Sequence, residues 1–120
     1  MLIAYWIVAG LLAVVFLGTG IMKLARSKDA LQAVGMGWAE DFSPTAVKLI
    51  GVAEVLGAIG LILPALSGIA AVLSPIAAIA LAVLMTGATV AHLRRHEPPI
   101  PLALVVLSIA AAVLGFLAVV

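Results

Sequence analysis

Three stretches of this chain carry no charged side chain: residues 1–22, 55–91 and 98–120. A helix needs about 20 apolar residues to cross the hydrocarbon core of a bilayer, so the first and last stretches each hold one crossing. The middle stretch, with its leader from Pro44, is long enough for two crossings and a turn. Composition closes off the soluble alternative, because only 9% of the residues are charged and 67% are hydrophobic. A soluble domain carries about 25% charged residues to cover its surface. The expectation is an all-α integral membrane four-helix bundle occupying residues 1–120 as a single domain, with its solvent the lipid bilayer.

Helix boundaries follow from local chemistry. The first helix is expected over about 2–24, with Tyr5 and Trp6 at the headgroup level favoured by amphipathic rings. Lys23, Arg26 and Lys28 close it. Met1–Gly18 has no Lys or Arg, which argues against a cleaved signal peptide. A connector over 25–43 follows, in which Ser27–Val34 forms a short interfacial helix, Gly35-Met36-Gly37 breaks it, and Trp38 anchors at the interface. The second helix, 44–63, starts with Ser43 as N-cap and Pro44 at its first position, where a missing N–H costs nothing. Phe42 and Val47 hold the hydrophobic-staple positions across that cap. Pro64 is expected to end it, with residues 64–68 as a tight turn.

The third helix, 68–93, admits two starts. Ser67 caps it and Pro75 kinks it, the preferred reading, or Ser74 caps it and Pro75 opens it. Arg94 and Arg95 end this helix, Pro98-Pro99-Ile100-Pro101 stiffens the link, and the fourth helix takes 101–120, with Ser108 as its lone interior polar residue. All six Lys and Arg lie in or beside the first and third connections. The positive-inside rule then sets both connections in the cytoplasm and both termini outside, N-out and C-out. The expected location is the bacterial cytoplasmic membrane.

Small residues at Gly51, Ala53, Gly57, Ala58 and Gly60 predict close backbone approach to a neighbouring helix, within the bundle or in another chain. Glu54 is the residue that most needs explaining. It falls near the midplane, where an ionised carboxylate is costly unless it is protonated, paired or facing a wet cavity. Its structural alternative is a hydrogen bond that locks two helices. Lys23 can extend toward it if the face shared with Thr19 and Phe16 points inward, or it can serve as an interfacial anchor. Lys48 is expected to snorkel to the surface. Met85, Thr89 and His92 share one face of the third helix with Thr86 beside them, although a histidine there also suits the free carbonyls of a helix end. His96 and Glu97 are expected to be solvated.

Lys23, Glu54, Thr89 and His92 are therefore the ligand-binding or proton-exchange candidates, with Thr19, Met85 and Thr86 secondary. Together they would bring an acid, a base and hydroxyls into a low-dielectric cleft fit for a lipophilic molecule with one polar end. There is no cysteine, which excludes disulfides, iron–sulfur clusters and thiolate zinc sites. Two histidines without an adjacent carboxylate pair argue against any metal site. A net charge of +1 argues against nucleic acid.

Three segments resemble the DoxX-like family of small four-helix bacterial membrane proteins: Gly20-Ile21-Met22-Lys23-Leu24, the run Lys48 to Pro64, and Met85 to His92. The second, with Gly51-Val52-Ala53-Glu54 at its centre, is the distinctive one. The resemblance implies a membrane bundle in which Lys23, Glu54 and His92 are recurrent polar positions. The family is named for a subunit associated with thiosulfate:quinone oxidoreduction, and distant eukaryotic relatives act as membrane chaperones or cargo receptors. The implied role is an accessory or ligand-binding subunit, with a quinone as one possible ligand. Two alternatives stay open: a small isomerase or hydrolase using Glu54 and His92 as acid and base, and a structural or assembly partner of larger membrane proteins or of its own copies.

Overall fold

Four long helices and no strand make up the computed structural model, which describes residues 1–120. They are α1 (Leu2–Ala25), α3 (Pro44–Ser67), α4 (Leu73–Arg94) and α5 (Pro101–Ala118). The connector after α1 holds a short helix, α2 (Lys28–Ala33), and a 3₁₀ turn over Gly37–Asp41. At about 1.5 Å per residue the long helices run from about 27 to about 36 Å, near the thickness of a hydrocarbon core. Around the bundle α1 lies against α3 and α5, and α4 lies against the same two.

The helix starts obey the capping chemistry. Ser43 Oγ accepts from the Ala46 N–H at 3.1 Å, and Ser27 Oγ accepts from the Ala30 N–H at 3.2 Å. Each serine supplies an acceptor to a donor that the first helical turn leaves unpaired. Val47 is buried beside Phe42, as the staple requires.

Pro64 does not end its helix. α3 continues to Ser67 and stops at Gly68, whose φ of 74° and N–H to Pro64 O, 3.0 Å, make a left-handed C-cap. A proline removes one N–H and disturbs the turn before it. Two other helices repair that turn. The Tyr5 hydroxyl donates to Leu61 O at 2.6 Å, and the Ala65 N–H donates to Ser74 Oγ at 3.0 Å. Tyr5 is therefore not a headgroup anchor: it is wholly buried, because its hydroxyl has a carbonyl to satisfy inside the bundle.

Neither expected start of the following helix occurs. α4 begins at Leu73, Ser67 belongs to the last turn of α3, and Pro75 falls in the first turn of α4, where it bends nothing. At the other end of the chain α5 stops at Ala118 instead of reaching Val120.

Close approach depends on two glycine contacts. A Cβ on Gly20 would sit 2.8 Å from Gly51 O, and one on Gly51 would sit 2.9 Å from Gly20 O, so α1 and α3 cross with their backbones nearly touching. Gly57 makes room for Leu81, whose Cδ2 a Cβ would meet at 2.5 Å, on the α3–α4 side. The apolar core is a column of Tyr5, Leu12, Phe16, Leu61, Leu81 and Ala111 along the bundle axis. Large apolar side chains also cover the outside, Ile3 and Val14 being 77% and 73% exposed. Such a surface suits lipid, where the helices satisfy every backbone group internally.

Candidate functional site

The Gly20–Gly51 crossing decides what its flanking side chains can reach. Because the helices are antiparallel, Lys23 and Glu54, each three residues past its glycine, flank the crossing on opposite sides, and the close approach lets the two side chains meet across it. Lys23 Nζ donates to Glu54 Oε1, and Thr19 Oγ1 donates to Glu54 Oε2. Glu54 is 1% exposed and Lys23 6% exposed. Each carboxylate oxygen thus has one donor, which offsets part of the desolvation that a buried ion incurs. The Lys23 ammonium also stands 5.3 Å above the Trp38 ring centroid, within cation–π range.

Lys48 supports this arrangement from outside. Exposed at the connector end as expected, it also donates to Leu24 O at 2.9 Å, closing the C-terminal carbonyls of α1. A cation at a helix C-terminus complements both the free carbonyls and the dipole. It can do so because α1 and α3 are antiparallel, which sets the end of one beside the start of the other.

The cluster forms one wall of a cavity of about 440 Å³ between the four helices, at the connector end. Thr19, Lys23, Glu54 and His92 supply its polar groups, while Phe16, Ile50, Leu84, Met85 and Leu104 supply apolar wall. Met36, Trp38 and Phe42 of the connector roof it. Trp38 is thus a cavity residue as well as an interfacial aromatic. Composition and periodicity give no sign of that, since a connector has no helical face to read.

The remaining candidates divide. His92 reaches the cavity, but its Nδ1 lies 3.7 Å from Glu97 Oε1, so its nearest carboxylate is Glu97 and not Glu54. Met85 lines the cavity. Thr89 and Thr86 do not: their hydroxyls donate to Met85 O and Ala82 O, each at 2.8 Å. Back-bonding to the carbonyl four residues earlier is the ordinary way a helical threonine satisfies its hydroxyl in lipid.

Glu97 is not a free solvated group either. Arg95 gathers Glu97, Glu40 and Asp41, with Nη1 to Asp41 Oδ1 at 3.1 Å and both other contacts at 3.4 Å. The hydrogen bond that Arg95 donates to Asp41 is the main cause that raises the guanidinium above its ordinary value. These contacts fasten the 3₁₀ turn, and with it Trp38, across the mouth of the bundle.

No curated protein and no solved structure shows significant similarity to the chain. A family model does: that of the DoxX-like family matches residues 7–115, which takes in α3 and α4 whole, most of α1 and α5, and both polar partners at the crossing. With four apolar helices of spanning length, this chain is a multi-pass membrane protein that belongs to the DoxX-like family.

Proposed function

We propose that the cavity at the connector end binds a lipophilic molecule with a small polar head, such as a quinone, and that the protein serves as an accessory or ligand-binding subunit of a membrane redox system. The observation that carries this reading is the position of the Lys23–Glu54–Thr19 cluster on the wall of a largely apolar cavity. An ion pair whose sole task was to join two helices would be better packed on every side, because any gap beside it forfeits contacts. A volume of about 440 Å³ also falls within the range of about 300–1,000 Å³ typical of small-molecule pockets.

The chemistry follows from the donors left over. The ammonium of Lys23 has three N–H groups and the carboxylate of Glu54 has about four acceptor sites, so both keep capacity after pairing with each other. A carbonyl head accepts from Lys23, and a hydroxyl head donates to Glu54. Discrimination between the carbonyl and hydroxyl forms of such a head falls to this pair, with His92 and Glu97 nearby as a second site for a proton. Met85, Phe16 and Leu104 take the apolar body.

In this reading the connector end faces the cytoplasm of a bacterial cell, since every Lys and Arg lies at or near it, and both termini lie outside. The test is mass spectrometry of small molecules retained by purified wild-type protein and by Glu54→Gln. The amide keeps the shape and one acceptor for Lys23, so the bundle persists while the charge that orders the head is lost. An amphiphile held by wild type and absent from the variant is the expected result. Equal retention by both proteins overturns the assignment of the head site to Glu54.

A further inference from the structure

A second concavity, of about 530 Å³, opens at the same end between the C-terminus of α1 and the N-terminus of α3. Its lining includes Arg26, Lys28 and Lys48, with Asp29 as the one carboxylate and Lys23 at its back. We propose that this groove seats the phosphate of an anionic membrane lipid.

The charges fit an anion and have not been spent elsewhere. Three cations face one carboxylate, leaving out Lys23, which is committed to Glu54. The Arg26 guanidinium is exposed and enters none of the ion pairs of the chain. Lys28 donates to Glu40 O at 3.3 Å and Lys48 to Leu24 O, but each ammonium has three donors and keeps at least one. Guanidinium beside ammonium is the donor set that phosphate oxygens favour.

The surroundings select a lipid over a phosphate in solution. The groove lies where the apolar spans end, at the depth of the headgroups. Toward the hydrocarbon, Ile21 and Leu24 of α1 and Val52 of α3, one turn beyond Lys48, stand 38–54% exposed. Exposed apolar side chains on the two helices that form the groove suit the acyl chains of a lipid whose phosphate sits in it. Basic pockets between membrane helices at the cytoplasmic side are where anionic headgroups are held. The seat shares Lys23 with the cavity but does not depend on what the cavity binds.

The test is native mass spectrometry of the purified protein equilibrated in micelles with equal amounts of phosphatidylglycerol and phosphatidylcholine. Wild type retains phosphatidylglycerol preferentially. Arg26→Gln lowers that preference roughly fivefold, the worth of one cation near an anionic surface, while Arg26→Lys keeps most of it. Because Arg26 is exposed and unpaired, its melting temperature is the control for folding and stays unchanged. Equal retention of the two lipids by wild type overturns the proposal, as does an undiminished preference in the double variant R26Q/K28Q. Inorganic phosphate in excess fails to displace the lipid; displacement assigns the groove to a soluble phosphate and overturns the lipid.

Discussion

The two ends of this bundle solve the same problem, polar groups in hydrocarbon, in opposite ways. At the turn end the polar groups are neutral and each meets one partner in a tightly packed core: Tyr5 takes Leu61 O, and Ser74 takes the Ala65 N–H. A Cβ on Gly115 would find Pro75 at 3.0 Å and Tyr5 at 3.2 Å, so little free space remains there. At the connector end the polar groups are charged, partly paired, and set beside a cavity. The first arrangement supplies stability. The second leaves donors and acceptors unspent in a low-dielectric site, which suits recognition better than packing. Substitutions should therefore separate the ends: turn-end changes alter melting alone, and connector-end changes alter ligand retention, with or without melting.

The largest effect tests the ion pair. Lys23→Ala leaves the Glu54 carboxylate buried with only Thr19 as donor, and removal of one partner of a buried pair costs about 3–5 kcal/mol. A fall in thermal stability in detergent of that order is expected. The double variant Lys23→Met/Glu54→Leu should recover most of it, because neither charge then remains. A double variant less stable than either single change would break the comparison by making the charges themselves structural.

The crossing comes next. Gly51→Ala sets a Cβ 2.9 Å from both Gly20 O and Lys23 Cβ, and overpacking of this kind costs about 1–3 kcal/mol. Because it also shifts Lys23 relative to Glu54, ligand retention should fall with melting temperature. Gly57→Ala, crowded by the flexible end of Leu81 on the α4 side rather than by α1, should lower melting with less loss of ligand than Gly51→Ala.

At the turn end, Tyr5→Phe removes an interhelical hydrogen bond. Such bonds in membrane bundles average about 0.6 kcal/mol and reach about 1.7. A small fall in melting temperature with unchanged ligand retention is expected. Loss of ligand in this variant would show that the two ends are coupled.

The smallest effect on stability belongs to Arg95→Gln, whose ion pairs are largely exposed and worth about 0–1 kcal/mol. Its readout is hydrogen exchange. Faster exchange over residues 35–42 and faster ligand dissociation, at nearly constant melting temperature, would sharpen the assignment of the connector as the roof of the cavity. Unchanged exchange there would remove Arg95 from that role.

Much of the candidate site was legible because burying a charge is expensive. Glu54 in mid-helix needed compensation, and the shared face of Phe16, Thr19 and Lys23 offered one source of it, provided that face points inward. Thr89 shows the limit of that reasoning. Helical spacing puts it on the His92 face, yet its hydroxyl turns back to Met85 O, a choice that periodicity does not register. Tyr5, Pro64 and Ser74 show the same limit for the fold. Proline reads as a stop in a single helix, and only the tyrosine and serine of two neighbours let α3 run on to Ser67.

The sequence by itself determined the class of the protein and the number of its spans, because lipid tolerates so few charges that their spacing marks out the crossings. It also determined that Glu54 required compensation. Only the tertiary structure decided who provides it and what surrounds it: Gly20 against Gly51 sets Lys23 and Thr19 on Glu54, and Arg95, far along the chain, ties down the turn that brings Trp38 over the cavity. The reason is that spans and capping arise from forces within one segment. Pairing and enclosure arise from contacts between segments, which no local pattern encodes.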